Sequence, residues 1–331
     1  MKTCLSGLDL RALVSELSRT IVGSRLANIY HLDGNKFLLK LRKPGRTLRL
    51  LIELGRRAHL LTGEVEVPER PSPFCMGLRK DLRGGRLVGV DQYKLDRVLE
   101  LSVATPKGTY RLIFELFGGG NVILVGPDGR IKRILRPREM RDRRLLVGEA
   151  FRYPPQPEVD IMVEGGPDLS ALMGLGELEA VRGLSRLTGL SGPYAEEVLL
   201  RAGIPKDKPC ASLSHEELER ISKALWEIVR SVLEGPIEPA IIIEDGRWID
   251  VVPIKMVRYS GLEALRFPTM NEAVEAYFSR LEEEEARKGL EEALRKELRA
   301  LRKVEEEQEE ALGAFKRKSE VCYALGNAIY A

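Results

Sequence analysis

An α+β fold in three parts is predicted for this 331-residue chain: a β-sandwich-like N-terminal domain with flanking helices, a helical-hairpin domain and a long coiled-coil helix. Three observations predict it. Short alternating apolar segments separated by Gly and Pro turns occupy 25–63 and 86–135. A helical stretch punctuated by glycine fills 168–235. From Asn271 the sequence is highly charged, with apolar residues spaced three and four apart, the signature of a helix seam.

In chain order, residues 9–22 place Leu10, Leu13, Val14, Leu17 and Ile21 on one helical face, and Ser6 or Asp9 can cap that helix. RLANIYHL, NKFLLKLR, TLRLLIEL and RAHLLTG follow, broken at Asp33-Gly34 and Lys43-Pro44-Gly45, and read as hairpins. Residues 74–82 form a short helix that ends at Gly84-Gly85. A second strand set comes next, RLVGVDQY, RVLELSVA, TYRLIFELF, NVILV and RIKRIL, turned at Pro106-Lys107-Gly108, Gly118-Gly119-Gly120 and Pro127-Asp128-Gly129. Tyr153-Pro154-Pro155-Gln156-Pro157 can continue neither a helix nor a central strand and marks a linker. IIIEDG and RWIDVVPI form a β-hairpin over 240–254. The expected domains are therefore 1–152, basic and β-rich; 153–236, helix-hairpin-helix; 237–270, a small β-hairpin connector; and 271–331, one arm of a coiled coil. Its seam holds Leu294, Leu298, Leu301, Leu312, Phe315, Cys322 and Ile329, interrupted at Glu305, Gln308 and Ser319. An antiparallel coil needs a returning arm, so the chain reads as part of a longer protein, with self-association through the seam as the other outcome.

Charge separates the two halves. Residues 1–152 carry 30 Lys and Arg against 16 Asp and Glu, a net +14. The remainder carries 23 against 34, a net −11. A basic domain of this kind points to a polyanion, and a phosphate backbone is the commonest, since each neutralised phosphate releases a counterion. Lys36, Lys40, Arg42, Lys43, Arg46, Arg49, Arg56 and Arg57 follow the early hairpins. Arg130, Lys132, Arg133, Arg136, Arg138, Arg141, Arg143 and Arg144 crowd the last strand, and the first six of these are candidate RNA-backbone contacts. Such a run also serves as the charged guard of an edge strand.

Other chemistries find little support. Cys4, Cys75, Cys210 and Cys322 are scattered with no CxxC pair, which argues against a zinc site or a disulfide framework and fits a reducing cytosol. His31, His59 and His215 have no metal-ligand partner at helical spacing. The N-terminus lacks a signal-peptide core, and no stretch reaches the ~18 apolar residues of a membrane span. Phe117-Gly118-Gly119-Gly120-Asn121 lacks the GK[ST] ending of a phosphate loop and reads as a hairpin turn.

Leu187 to Pro205, LTGLSGPYAEEVLLRAGIP, is a helix-hairpin-helix pattern whose helix start can hold a phosphate. It is similar to the helix-two-turn-helix of formamidopyrimidine-DNA glycosylases. That family's N-terminal Pro, adjacent Glu and four-Cys zinc finger have no counterpart, because this chain begins Met1-Lys2. Glu196 and Glu197 weigh against DNA, and a purely structural hairpin is an equal alternative. Asp9, Asp96 and Arg97 carry two readings. Asp commonly caps helices and turns, while carboxylates can accept from base amino groups beside a guanidinium that stacks or grips phosphate.

Read together, several runs resemble the NFACT family: residues 73–87, PFCMGLRKDLRGGRL; Gln92 followed by Asp96-Arg97; Phe114-Glu115-Leu116-Phe117 with Gly120-Asn121-Val122-Ile123-Leu124; and Asn28-Ile29-Tyr30. The hairpin segment and charged coil follow in that family's order, so the resemblance covers essentially the whole chain. It implies a ribosome-associated quality-control factor. Such a factor binds the large ribosomal subunit carrying a stalled peptidyl-tRNA and recruits tRNA, typically alanyl-tRNA, for untemplated C-terminal extension of the nascent chain. It further implies that Asp9, Asp96 and Arg97 engage tRNA. It involves no cofactor, metal, membrane, catalytic residue or small-molecule substrate, and it places the protein in the cytoplasm. Tyr93-Lys94-Leu95 stands where the family commonly has small residues, including Gly. Two rivals remain at this point: a nucleic-acid glycosylase or lyase relative, and an adhesion module of the kind implied by the family's fibronectin-binding label.

Overall fold

The computed structural model describes residues 1–330, and of Tyr330 only the backbone. It divides into two units, residues 1–277 and 278–331.

Helix α1 (Gly7–Ile21) starts where Ser6 and Asp9 close a capping box, and it buries Leu10, Leu13, Val14, Leu17 and Ile21. The expected apolar face is thus the packed one, set against the sheet. β1 (Arg25–Asp33), β2 (Lys36–Lys43), β3 (Arg46–Glu53) and β4 (Arg57–Leu60) form one antiparallel run. Helix α2 (Pro73–Leu82) is capped by Ser72, with Pro at its first turn, where a missing N–H costs nothing. Its Cys75 Sγ and Arg79 Nε both donate to the Ile29 carbonyl, at 2.9 and 2.7 Å. β5 (Arg86–Gln92), β6 (Val98–Thr105), β7 (Gly108–Glu115), β8 (Asn121–Val125) and β9 (Ile131–Ile134) form the second run.

The two runs belong to one nine-stranded antiparallel sheet, ordered β4-β3-β2-β1-β5-β6-β7-β8-β9. A single Cα pair, Arg25 with Arg86, joins β1 to β5, flanked by backbone bonds such as Leu26 N to Gly85 O at 2.9 Å. With so short a junction each run behaves as a wing. Phe37 of β2 and Phe114 of β7 meet with ring centroids 6.5 Å apart. At the far end the Arg136 guanidinium donates to Gly34 O, Asn35 Oδ1 and Gly120 O, tying a turn of one wing to a turn of the other. A two-residue ladder, β10 (Arg138–Glu139) with β11 (Arg144–Leu145), follows β9.

The helical region holds α3 (Ala180–Thr188), α4 (Gly192–Ala202) and α5 (His215–Leu233). α3 ends on Gly189 in the left-handed region, φ 73°, a conformation that glycine adopts without a Cβ clash. α5 is capped by the Ser214–Glu217 box and buries Leu218, Ile221, Leu225, Ile228 and Val229 against α4 and α1. The predicted hairpin is present as β12 (Ala240–Glu244) and β13 (Arg247–Val252), and β14 (Glu263–Arg266) adds a third strand beside β12. Sequence reading missed β14 because all four of its residues are exposed and show no alternation.

Helix α6 (Met270–Tyr330) begins in the first unit. Its first N–H groups, those of Met270 and Asn271, are satisfied by Glu16 of α1 at 2.6 and 2.9 Å. The second unit, taken by itself, is this one helix. The seam residues Leu294, Leu298, Leu301, Leu312, Phe315 and Ile329 are exposed along it, as is Cys322.

Candidate functional site

Around the first turn of α1 the chain brings distant segments together. An added Cβ at Gly7 would lie 1.8 Å from the Leu95 carbonyl oxygen, so the helix start and the 93–97 loop touch backbone to backbone. Gln92 locks that contact by donating to both Gly7 O and Asp96 O at 2.8 Å. Asp96 Oδ1 accepts from Arg97 N at 2.6 Å, and Arg97 Nη1 lies 3.2 Å from Cys4 Sγ. Lys94 sits at φ 49°, the left-handed region that costs a side-chain-bearing residue about 1–2 kcal/mol. Glycine would hold this turn without strain. Lys94 Nζ instead reaches Asp160, at 3.1 Å.

Asp96 and Arg97 open onto a cavity of about 960 Å³, lined by residues 1–8, the 94–97 loop, most of 155–162, the α3–α4 turn, and Asp250, Arg258 and Tyr259 among others. Asp9 does not line it. This carboxylate is fully buried, accepting from Ser6 N at 2.7 Å, Tyr194 Oη at 2.9 Å and Lys2 Nζ at 2.8 Å. Lys2 also bridges to Asp250 at 2.6 Å, and Tyr259 Oη donates to the other oxygen of Asp250. Burial pulls the Lys2 ammonium down, but Asp9 and Asp250 outweigh it and hold the group above the ordinary lysine value. Burial first, and then the adjacent carboxylates, push Tyr194 and Tyr259 up. Both phenols therefore stay protonated donors at neutral pH. The three sequence candidates do converge on one helix end, two at the cavity wall and one behind it. Of the buried network, only the Ser6–Asp9 box left a local signal in the sequence.

The helix-hairpin-helix turn forms another wall through Ser191, Pro193 and Tyr194. Its two glutamates are neutralised internally. Glu196 pairs with Lys206 and Arg258 at 2.6 and 3.1 Å. Glu197, fully buried, accepts from Val257 N, Arg258 N and Arg201 Nε at 2.8, 2.9 and 2.6 Å.

The expected surface run from Arg130 to Arg144 needs correction. Arg143 is buried and paired with Glu115 at 2.6 Å. Lys132 and Arg133 both pair with Asp81, at 2.9 and 2.7 Å, so part of their charge is already neutralised within the fold. Arg136 is occupied by turn carbonyls. Arg130, Arg138 and Arg141 remain exposed. Arg57, from the early cluster, is likewise buried against Glu53. Among the described residues no group of three His, Cys, Asp or Glu is arranged to hold a metal ion, and no helix is long and apolar enough to cross a membrane.

The architecture joins a nine-stranded antiparallel sheet to a helical hairpin, with a large cavity beside the start of α1. The chain belongs to the NFACT family: the family description "NFACT N-terminal and middle domains" matches residues 6–323. It is 31% identical, over its full length and 50% of the relative, to the archaeal Rqc2 homolog aRqcH of Methanocaldococcus jannaschii. It is 28% identical, over 99% of its length and 33% of the relative, to the human ribosome quality control complex subunit NEMF. The chain thus spans half of the first relative and a third of the second. In fold it is similar to the N-terminal part of the fibronectin/fibrinogen-binding protein from Streptococcus suis, with TM-score 0.65 and 20% identity, covering 83% of this chain and 99% of that one.

Proposed function

We propose that this chain supplies the tRNA- and ribosome-binding portion of a ribosome quality-control factor. In this reading it works in the cytoplasm on the large subunit carrying a stalled peptidyl-tRNA and recruits tRNA, alanyl-tRNA in particular, for untemplated extension of the nascent chain. Peptide transfer stays with the ribosome, so the chain acts as a binding factor and not as an enzyme. The observation that carries the reading is the pairing of family membership over nearly the whole chain with Asp96 and Arg97 at the wall of its large cavity. In the same reading, residues 1–152 form a sandwich-like RNA-binding domain, 153–236 the hairpin domain, 237–270 a connector and 271–331 a coiled-coil arm. Arg130, Arg138 and Arg141 contact RNA backbone, while Lys132, Arg133 and Arg136 chiefly hold the fold.

The test pairs binding with folding. Asp96→Ala and Arg97→Ala should each weaken tRNA binding by ~1–3 kcal/mol, with little change in melting temperature, because both side chains are half-exposed. A drop in melting temperature with unaltered tRNA affinity would mark them as turn residues only. Binding should also fall steeply with salt, and charge removal at Arg130, Arg138 and Arg141 should flatten that slope by roughly 0.7–0.9 for each phosphate that is no longer neutralised. A slope unchanged by the triple substitution removes these residues from the interface.

A further inference from the structure

Asp9 is enclosed so completely that RNA could reach it only by displacing Lys2 and Tyr194. Its carboxylate already takes a backbone N–H, a phenol and an ammonium. Lys2, for its part, uses three donors, on Asp9, Asp250 and the Val251 carbonyl at 2.7 Å, which is all an ammonium has. The N-terminal segment is fixed by its backbone as well, with Lys2 N donating to Ile249 O at 2.7 Å and Lys2 O accepting from Tyr277 Oη at 3.0 Å. Two carboxylates share one cation here. The cluster therefore holds together only while Lys2 is charged, and losing the cation would leave two buried like charges facing each other. Lys2, Tyr194, Asp250 and Tyr259 all reach the cavity, whereas Asp9 lies beneath them.

We propose that Lys2, Asp9 and Asp250 form an ionic clamp that sets the shape of the cavity. They are positioning residues, and Asp9 supports RNA binding through the clamp instead of by contact. The clamp draws α1, and through the Gly7–Leu95 contact the Asp96–Arg97 loop, against Tyr194 of α4 and the 249–259 segment. Its functional half rests on the proposed tRNA binding. Its structural half is measurable without RNA.

The experiment uses the full chain carrying Asp9→Asn, Lys2→Met, Lys2→Arg or Tyr194→Phe, with hydrogen exchange and tRNA affinity as readouts. Asp9→Asn and Lys2→Met should both speed exchange at 188–194 and 247–259, far in sequence from either substitution. Each should raise the tRNA dissociation constant about tenfold, the scale of one charge-assisted hydrogen bond. The double variant should be no worse than the worse single variant, and either change combined with Asp96→Ala should lose less than the product of the two single losses, because the clamp acts through the Asp96–Arg97 loop. Lys2→Arg, which keeps the charge, should recover most of the affinity. Multiplying losses for Asp9→Asn and Lys2→Met would overturn the clamp, as would exchange changes confined to 6–10. If the charge variants do not fold, Tyr194→Phe removes a single hydrogen bond and should give the same exchange pattern at lower amplitude; an unchanged pattern counts against the proposal. Wild-type protein that binds no tRNA would defeat the functional reading, yet the exchange pattern would still decide the clamp.

Discussion

Arg143→Ala should destabilise the folded chain by about 3–5 kcal/mol, the scale for removing one partner of a buried ion pair. Arg143 and Glu115 are each only 4% exposed in their side chains, so water cannot take the place of the missing guanidinium. The effect should depend on pH in a defined direction. Burial already lifts Glu115 above the usual glutamate range, against the pull of Arg143. A carboxyl held high in the fold contributes stability that is fully present below its unfolded pKa and is lost as pH rises through the folded value. Removing Arg143 raises that folded value further. The loss measured by denaturant unfolding should therefore be largest near neutral pH and shrink at acidic pH, where Glu115 takes up a proton. Equal losses at neutral and acidic pH would show that Glu115 finds another partner.

Gly7→Ala should be destabilising, although the same change in a helix ordinarily gains about 1 kcal/mol. The added methyl would sit 1.8 Å from the Leu95 carbonyl oxygen, and neither backbone can rotate away as a side chain could. Overpacking costs typically ~1–3 kcal/mol, and a backbone-to-backbone clash belongs at the top of that range. Relief comes only by moving the 93–97 loop, which carries Asp96 and Arg97. Melting temperature and tRNA affinity should therefore fall together, unlike the pattern expected for Asp96→Ala. A rise in melting temperature would show that the helix start and loop separate freely.

Local features of the fold were legible in the sequence because they are written in periodicity and punctuation. The five apolar residues of 9–22 are the buried face of α1, and the Gly and Pro turns fall between strands where expected. Ser6 and Asp9, offered as alternative caps, turn out to act jointly in one box. What stayed hidden depends on contacts between distant positions. Lys2 and Asp250 lie far apart in the sequence, and nothing near either predicts a shared ion pair. The basic run near Arg130–Arg144 shows the complementary failure: a count of charges cannot tell Arg141, exposed, from Arg143, buried. The strained Lys94 turn was visible only as a departure from small residues, with its left-handed backbone unseen.

The Arg136 staple has a consequence for the order in which the chain folds. It links Arg136 to Gly34, 102 residues away in sequence, and closing a loop of that length costs roughly 4 kcal/mol in chain entropy. Each wing can be built first from hairpins whose partners are close neighbours, so the staple is expected to fasten last. Interactions made after the transition state leave the folding rate nearly untouched and govern how fast the molecule opens. The exposed end of the sheet, where Gly34, Asn35 and Gly120 meet one guanidinium, would then set the lifetime of the native state more than its depth.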